Sequence, residues 1–496
     1  MEAEMKRAKR LIRVETKGQG FLKGAATIAV GGFLAKLIGA LYRIPLTNLI
    51  GGYGMGLYQM VYPFYCLLLT VSATGIPSSI AKLTAEKRAL GESDEPIFKS
   101  ALKLFLLIGG AGTFLMLLLA PVLSAMQGSL EVRNGYFALA PSVFLVSAIS
   151  VLRGWFQGRK DMRPTALSEV FEQLVKVGFG LMFAYLYRGY PVKAVSFLLL
   201  SVTFSELAAL LLLFFLYKRT PQPYAGLKNA GAFPAKKVLA LSIPVTLSSA
   251  ILPLSGLIES VLIVRLLKGY SENAVALYGL FSGGAVTIIN LPVSIAYGIA
   301  AASVPAVSAA FAKEREGQQT GARRRVLLSL GLTAALGAVS ALGLFLFAAP
   351  AVKMIFRSLS AGETDTLVRL VKLLSVSALL LSCTQTLSAC LTGLGKPKFA
   401  AISMSVAVAF RLALDFLLVS RPKISVYGAA IAADVCYLVA FALDLVYNLI
   451  ITKRSERADD NGSGLGHAGR RIDGAGQGGD IERGQSDCED GEHPLV

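Results

Sequence analysis

The chain alternates long apolar runs with short polar gaps. The runs cover residues 20–42, 57–81, 99–121, 136–157, 165–187, 194–217, 238–264, 276–304, 326–349, 367–392, 399–419 and 426–451. Each is about long enough to cross a hydrocarbon core of ~30 Å as a helix. The pattern therefore predicts an all-α integral membrane protein with about 12 transmembrane helices.

Composition agrees, with 54% hydrophobic and 16% charged residues, against about a quarter charged in soluble chains. The net charge of +18 is no sign of nucleic acid, because the cations sit in alternate gaps. One set of gaps holds Lys6 to Lys23, Lys82 to Lys99, Arg159 to Arg163, Lys218 to Lys237, Lys313 to Arg325, Lys396 and Lys398, and Lys453 and Arg454. The other set is poorer, at roughly one cation to three, and by the positive-inside rule both termini lie in the cytoplasm. The first apolar segment is longer than a signal-peptide core and lacks a small-residue cleavage site, so it is read as the first helix. The histidines, His467 and His493, and Cys488 lie in the polar tail, so no histidine relay or metal site is expected in the membrane.

The long gap at 218–237 divides the chain. The expected organisation is a basic cytoplasmic segment over 1–19, an N-lobe over 20–217, a cytoplasmic linker over 218–237, a C-lobe over 238–452 and a disordered polar tail over 453–496. The halves repeat weakly. Pro63 and Pro77 in the second helix match Pro292 and Pro305 in the eighth, and the turn Gly158 to Pro164 matches Gly395 to Lys398. An even number of spans per half predicts two six-helix lobes related by a pseudo-two-fold along the membrane normal, with a central cleft. Proline frees helix carbonyls, which a membrane tolerates only where the backbone is buried or faces a watery cavity. Pro63, Pro77, Pro292 and Pro305 are therefore the expected kinks or gates lining that cleft, unless they only serve packing.

Ionisable residues inside spans are costly and mark candidate sites. Lys36 and Arg43 share one face of the first helix, with Tyr42 and Gln59 as expected neighbours. Such a stripe suits an anionic head group, a pyrophosphate above all. The competing reading has Arg43 snorkelling to the interface and Lys36 paired internally. Glu172 and Lys176, spaced i,i+4 in the fifth helix, are expected to form a structural ion pair. Arg411 and Asp415 have the same spacing in the eleventh helix. Glu259, Asp415 and Asp434 are also a candidate set for Na⁺ or H⁺ coupling. No cofactor and no resident metal are expected. A Walker Gly-Lys-Ser/Thr loop is missing, so ATP is not the driver within this chain, and no enzyme signature stands out. The glycine-rich stretch Gly51 to Gly56 is read as a tight external turn.

Several stretches resemble the stage V sporulation protein B family: Tyr42-Arg43-Ile44-Pro45-Leu46, Gly56-Leu57-Tyr58-Gln59 with Tyr62-Pro63, Gly75-Ile76-Pro77-Ser78-Ser79, Arg153-Gly154-Trp155-Phe156-Gln157-Gly158, Met162-Arg163-Pro164-Thr165-Ala166 and Glu172-Gln173. That family belongs with the lipid II flippases and polysaccharide exporters, in a superfamily that includes multidrug antiporters. The resemblance implies a V-shaped, two-lobed fold with alternating access, and a polyprenyl-pyrophosphate-linked sugar or peptidoglycan precursor as cargo. In related lipid II flippases first-helix cations are functionally important, and Lys36 and Arg43 fall at or near those places. Their eighth-helix cation has no counterpart in Val286 to Leu291, and the family's usual last two helices are missing.

The expected function is therefore a transporter, not an enzyme: a flippase for lipid II or an oligosaccharide lipid in spore envelope or peptidoglycan synthesis. It would sit in the bacterial cytoplasmic membrane, in contact with membrane lipids and cell-wall synthesis enzymes. A cation-coupled multidrug antiporter using Glu259, Asp415 and Asp434 is the alternative. A non-transporting membrane scaffold for cell-wall enzymes is the second.

Overall fold

Every apolar run falls on a helix in the computed structural model, which describes residues 2–90, 92–220, 235–315 and 321–468. The helices are α1 (Glu2–Leu69), α2 (Ile76–Ala89), α3 (Glu95–Met126), α4 (Arg133–Gly158), α5 (Arg163–Leu186), α6 (Pro191–Arg219), α7 (Ala235–Lys268), α8 (Ala274–Tyr278), α9 (Val286–Arg315), α10 (Ala322–Ile355), α11 (Ala361–Gly393), α12 (Pro397–Val419) and α13 (Tyr427–Ala468). Wider π-helical turns join α1 to α2 at Thr70–Thr74 and α8 to α9 at Gly279–Ala285. Among the described residues, 10 segments are long and apolar enough to cross a membrane, with Val30–Ala89 taken as one. Segment Val30–Ala89 holds the second predicted span and the first from Val30 onward. The remaining predicted span, α5, carries Glu169, Glu172 and Lys176 within it.

α1 contains the first reversal. Gly51 has φ 70° and ψ −179°, a region essentially reserved for glycine. On one side of it, Gly31 meets Ala166 and Tyr42 meets Gly180, so that arm runs parallel to α5. On the other side, Met60 lies beside Tyr136, and Thr84 of α2, which continues that arm past the π-helical turn, lies beside Gly158, so the arm and α2 together run parallel to α4. Helices α4 and α5 are antiparallel neighbours across a short turn, so the arms of α1 are antiparallel too. The predicted turn over 51–56 is thus concentrated in one residue, and Gly52 to Gly56 are already helical.

The helix pairings recur between the halves. In the N-lobe α3 packs on α4, α4 on α6, α5 on α6, the first arm of α1 on α5, and α2 on α4. In the C-lobe α10 packs on α11, α11 on α13, α12 on α13, α7 on α12, and α9 on α11. The repeated basic turns also share a geometry. Lys160 (φ 64°) and Gly395 (φ 73°) are both left-handed. The next N–H in each turn, of Asp161 or Lys396, returns to the carbonyl of Phe156 or Leu391. Both helices therefore end in the same Schellman closure. Proline opens the first turn of α2, α3, α5, α6 and α12, where its missing N–H costs nothing.

The face carrying the basic loops will be called the basic face. Toward the opposite face one core is shared by both lobes, with Leu46, Met55, Val61 and Tyr136 packed with Phe281, Ile288, Leu367 and Leu374. Toward the basic face it separates into an N-lobe core around Ile80, Phe98, Phe105 and Trp155 and a C-lobe core around Val307, Val326 and Leu387. The lobes thus form a V joined at the opposite face. Val238 and Ser242, at the start of α7, pack on the N-lobe core and on Gly75 and Ser79. α7 therefore leaves one lobe and enters the other, and the sequence boundary at 238 falls inside the N-lobe's packing.

The most apolar stretches of α3 and α10 have only 22% and 17% of their residues buried, whereas that of the α4 segment has 72%. Hydrophobicity faces outward on the first two, as lipid requires, while α4 sits at the centre of its lobe. Residues 221–234 of the predicted linker and 469–496 of the predicted tail lie outside the described residues. α13 runs on to Ala468, past residue 453, where the sequence predicts disorder; Arg, Glu and Ala at 454–458 favour helix.

Candidate functional site

Helix geometry places Lys36 and Arg43 on one face, two turns and about 10 Å apart along the axis. That face meets α9 across the cleft. The Lys36 ammonium stands 3.9 Å from the centre of the Tyr297 ring. Arg43 Nη1 donates to Thr287 Oγ1 at 3.4 Å. Between them lies a cavity of about 360 Å³ lined by Lys36, Gly39, Tyr42, Arg43, Tyr58, Tyr62, Gln173, Lys176, Thr287, Asn290 and Ser294, with Ala35 and Ala40. α1 and α5 of one lobe form one wall and α9 forms the other. Lys36, Arg43 and Lys176 give it three cations, and none of its lining residues is acidic. Gly39 lets α1 approach α5 closely, since a Cβ there would lie 3.2 Å from Gln173 Oε1, the movable end of a side chain.

Lys176, which helix spacing assigns to a structural pair, also lines this cavity. Its spacing from Glu172 predicts an ion pair, but Glu172 Oε2 instead meets Arg153 Nη2 at 3.0 Å. Among the described residues no carboxylate pairs with Lys176, which faces the cavity. The missed signal was Arg153, one span away in sequence and adjacent in space. Gln59 is also reassigned. Its Nε2 donates to Ser282 O at 2.9 Å, which ties the lobes together, and the residue does not line the cavity. Tyr42 lines the cavity, but its hydroxyl lies in the space left by Gly180.

The four prolines divide. Pro63 borders a second cavity of about 200 Å³. Pro77 opens α2 and presses on Gly154 of α4, an N-lobe packing role. Pro292 and Pro305 lie within α9 and line neither cavity. The gaps in regular α-helix are the π-helical turns at 70–74 and 279–285.

The second cavity lies mainly in the C-lobe, lined by Glu259, Ser282, Asn290, Ser377, Arg411 and Tyr437 among others. Arg411 pairs with Glu259 and lies 4.0 Å from Asp415, so the predicted Arg411–Asp415 pair is the looser of the two. Asp415 is fully buried, and neither carboxylate oxygen has a hydrogen-bond partner among the described residues. Asp434 bonds to Ser377 instead of joining Glu259 and Asp415. Among the described residues no three His, Cys, Asp or Glu side chains are grouped to hold a metal ion. The guanidinium of Arg411 stands where the carboxylate set predicts a cation.

Comparison with known proteins agrees with this architecture. Residues 21–311 match the family model described as polysaccharide biosynthesis protein. The chain is 30% identical over 433 residues to Stage V sporulation protein B of Bacillus subtilis (strain 168), covering 84% of this chain and 80% of the relative. It is 24% identical to Lipid II flippase MurJ of the same organism, covering 87% and 82%. Among solved structures, an inward-facing multidrug resistance MATE family transporter of the MOP superfamily superposes with a TM-score of 0.72 at 15% identity, covering 85% of this chain and 96% of that one. The two-lobed helical fold, the cationic cavity between the lobes and these likenesses together place the chain in the polysaccharide biosynthesis protein family, among the relatives of stage V sporulation protein B, as a membrane transporter and not an enzyme.

Proposed function

We propose that the chain flips a polyprenyl-pyrophosphate-linked cell-wall precursor, lipid II or an oligosaccharide lipid, by alternating access in spore envelope or peptidoglycan synthesis. One observation carries the reading: a cavity between the lobes with three cations and no acid. A pyrophosphate brings two or more negative charges and planar oxygen edges that guanidinium matches in bidentate fashion. Thr287, Asn290 and Ser294 recur at helical spacing on α9 and offer neutral hydrogen bonds to the neighbouring sugar. The V joined at the opposite face and parted toward the basic face supports entry from the basic side. With the basic loops on the cytoplasmic side of a bacterial membrane, cargo would enter from the cytoplasm. Both termini are then cytoplasmic, and cell-wall synthesis enzymes are the expected partners.

The test is reconstitution in vesicles with a fluorescent lipid-linked precursor and a membrane-impermeant quencher. Protein-dependent exposure of the label to the quencher supports the reading, and its absence for every lipid-linked glycan tried sinks it. The Glu259–Arg411–Asp415 set favours coupling to H⁺. With both acids ionised the set carries one net negative charge, and one proton at Asp415 neutralises it. An imposed pH gradient should then change the flipping rate, and an equal response to a Na⁺ gradient alone would count against it.

A further inference from the structure

Lys176 has the partner that helix spacing calls for and does not use it. A Glu followed by Lys at i,i+4 is the favoured orientation on a helix, and Glu172 and Lys176 meet that rule. Yet both carboxylate oxygens of Glu172 are engaged elsewhere. Oε2 meets Arg153 Nη2 at 3.0 Å and Oε1 accepts from Gln173 Nε2 at 3.3 Å. Arg153 is itself held in place, since its Nε donates to Ser168 Oγ at 3.0 Å. Glu206, on α6, accepts from Tyr65 Oη at 3.2 Å. Lys176 is left facing an acid-free cavity beside Arg43.

We infer that Lys176 is a third cation for the anionic head group, and that Arg153 is a positioning residue that keeps Lys176 available by holding Glu172. The inference rests on the proposed flippase reading. It adds a cation on the fifth span, which helix spacing alone assigns to a structural pair. The physical logic is competition for one carboxylate. A guanidinium offers a fork of donors to a carboxylate, whereas an ammonium is a point charge, so Glu172 goes to Arg153 while Arg153 is present. Without Arg153, Glu172 is a largely buried carboxylate without its ion-pair partner, and Lys176, one turn away, is its nearest replacement on α5. The cavity would then lose a cation without any change in its lining residues.

The test measures binding of undecaprenyl pyrophosphate to the purified full chain in detergent, alongside the flip assay. Lys176→Gln should raise Kd about ten-fold, equivalent to about 1.4 kcal/mol, and Lys176→Arg should restore most of the loss. Arg153→Gln should also raise Kd about ten-fold. The pair Arg153→Gln with Glu172→Gln should return to within about three-fold of the parent, because the competing carboxylate is gone. A purely structural role for Arg153 would not be rescued this way. If the double variant binds as weakly as Arg153→Gln, the positioning role is wrong. If Lys176→Gln binds like the parent, the third cation is wrong. If Arg153→Gln fails to accumulate, Lys176→Gln, Lys176→Arg and the double variant still decide. If the parent itself binds no undecaprenyl pyrophosphate, the head-group reading falls and this inference with it. Parent binding with no difference among the variants overturns the inference alone.

Discussion

The seam that closes the V at the opposite face is built from backbone touching backbone, and one methyl group should open it. A Cβ on Gly56 would lie 2.0 Å from Val275 O and 2.8 Å from Val275 C. A Cβ on Gly279 would lie 2.1 Å from Gly52 O and 2.4 Å from Gly56 N. Ordinary contact needs about 3.5 Å, so Gly56→Ala demands a displacement of about 1.5 Å between the lobes. Neither partner is the flexible end of a side chain, so the strain cannot be relieved by a rotamer change. Overpacking of this kind costs about 1–3 kcal/mol. A state with the seam parted does not bear that cost, so the equilibrium should move toward it by about 5- to 150-fold. The assay is the rate at which a membrane-impermeant maleimide, added on the opposite face, labels Ala285→Cys in a chain lacking its native cysteines. Ala285 is fully buried in the shared core. Gly56→Ala should speed labelling by that factor. Gly343→Ala, whose added Cβ would meet nothing within 4 Å, should leave the rate unchanged. Labelling of the Gly56→Ala chain at the parent's rate would show that the seam yields locally, and the idea of a rigid lobe contact would be refuted.

Lys36→Ala and Arg43→Ala should each keep the protein in the membrane but lower precursor flipping ten-fold or more, with Arg43→Lys recovering only part; parental rates for both Ala variants would remove the head-group clamp. Arg411→Ala should destabilise the chain by about 3–5 kcal/mol because it strands Glu259 and Asp415 without a cation. Thermal unfolding in detergent would reveal this, and an unchanged midpoint would show that the ion pair carries no weight. Reporter fusions after Lys237 and Arg325 should read cytoplasm and a fusion at Ser271 outside; the reverse in either lobe would break the two-lobe topology.

The sequence by itself determined the class of the molecule, because that depends on local and additive properties. A run of about twenty apolar residues has one stable form in lipid, and cations gather in alternate gaps wherever the helices end. The recurring proline and Gly-Lys-Pro signals were enough to suggest the repeat; the two basic turns share one Schellman geometry at Lys160 and Gly395, whereas the four prolines fall in different settings. The shared face of Lys36 and Arg43 was also legible, since helical periodicity alone sets it. Tertiary structure decided the partners. Glu172 looks like the mate of Lys176 within α5, but Arg153, from α4, takes it. Asp415 looks like the mate of Arg411, but Glu259, from α7, stands closer. Gln59 looks like a ligand contact until Ser282 of the other lobe claims its amide. A charged side chain takes the partner that packing brings nearest, and packing joins residues far apart in sequence, so spacing along one helix cannot reveal which cations remain for the cavity.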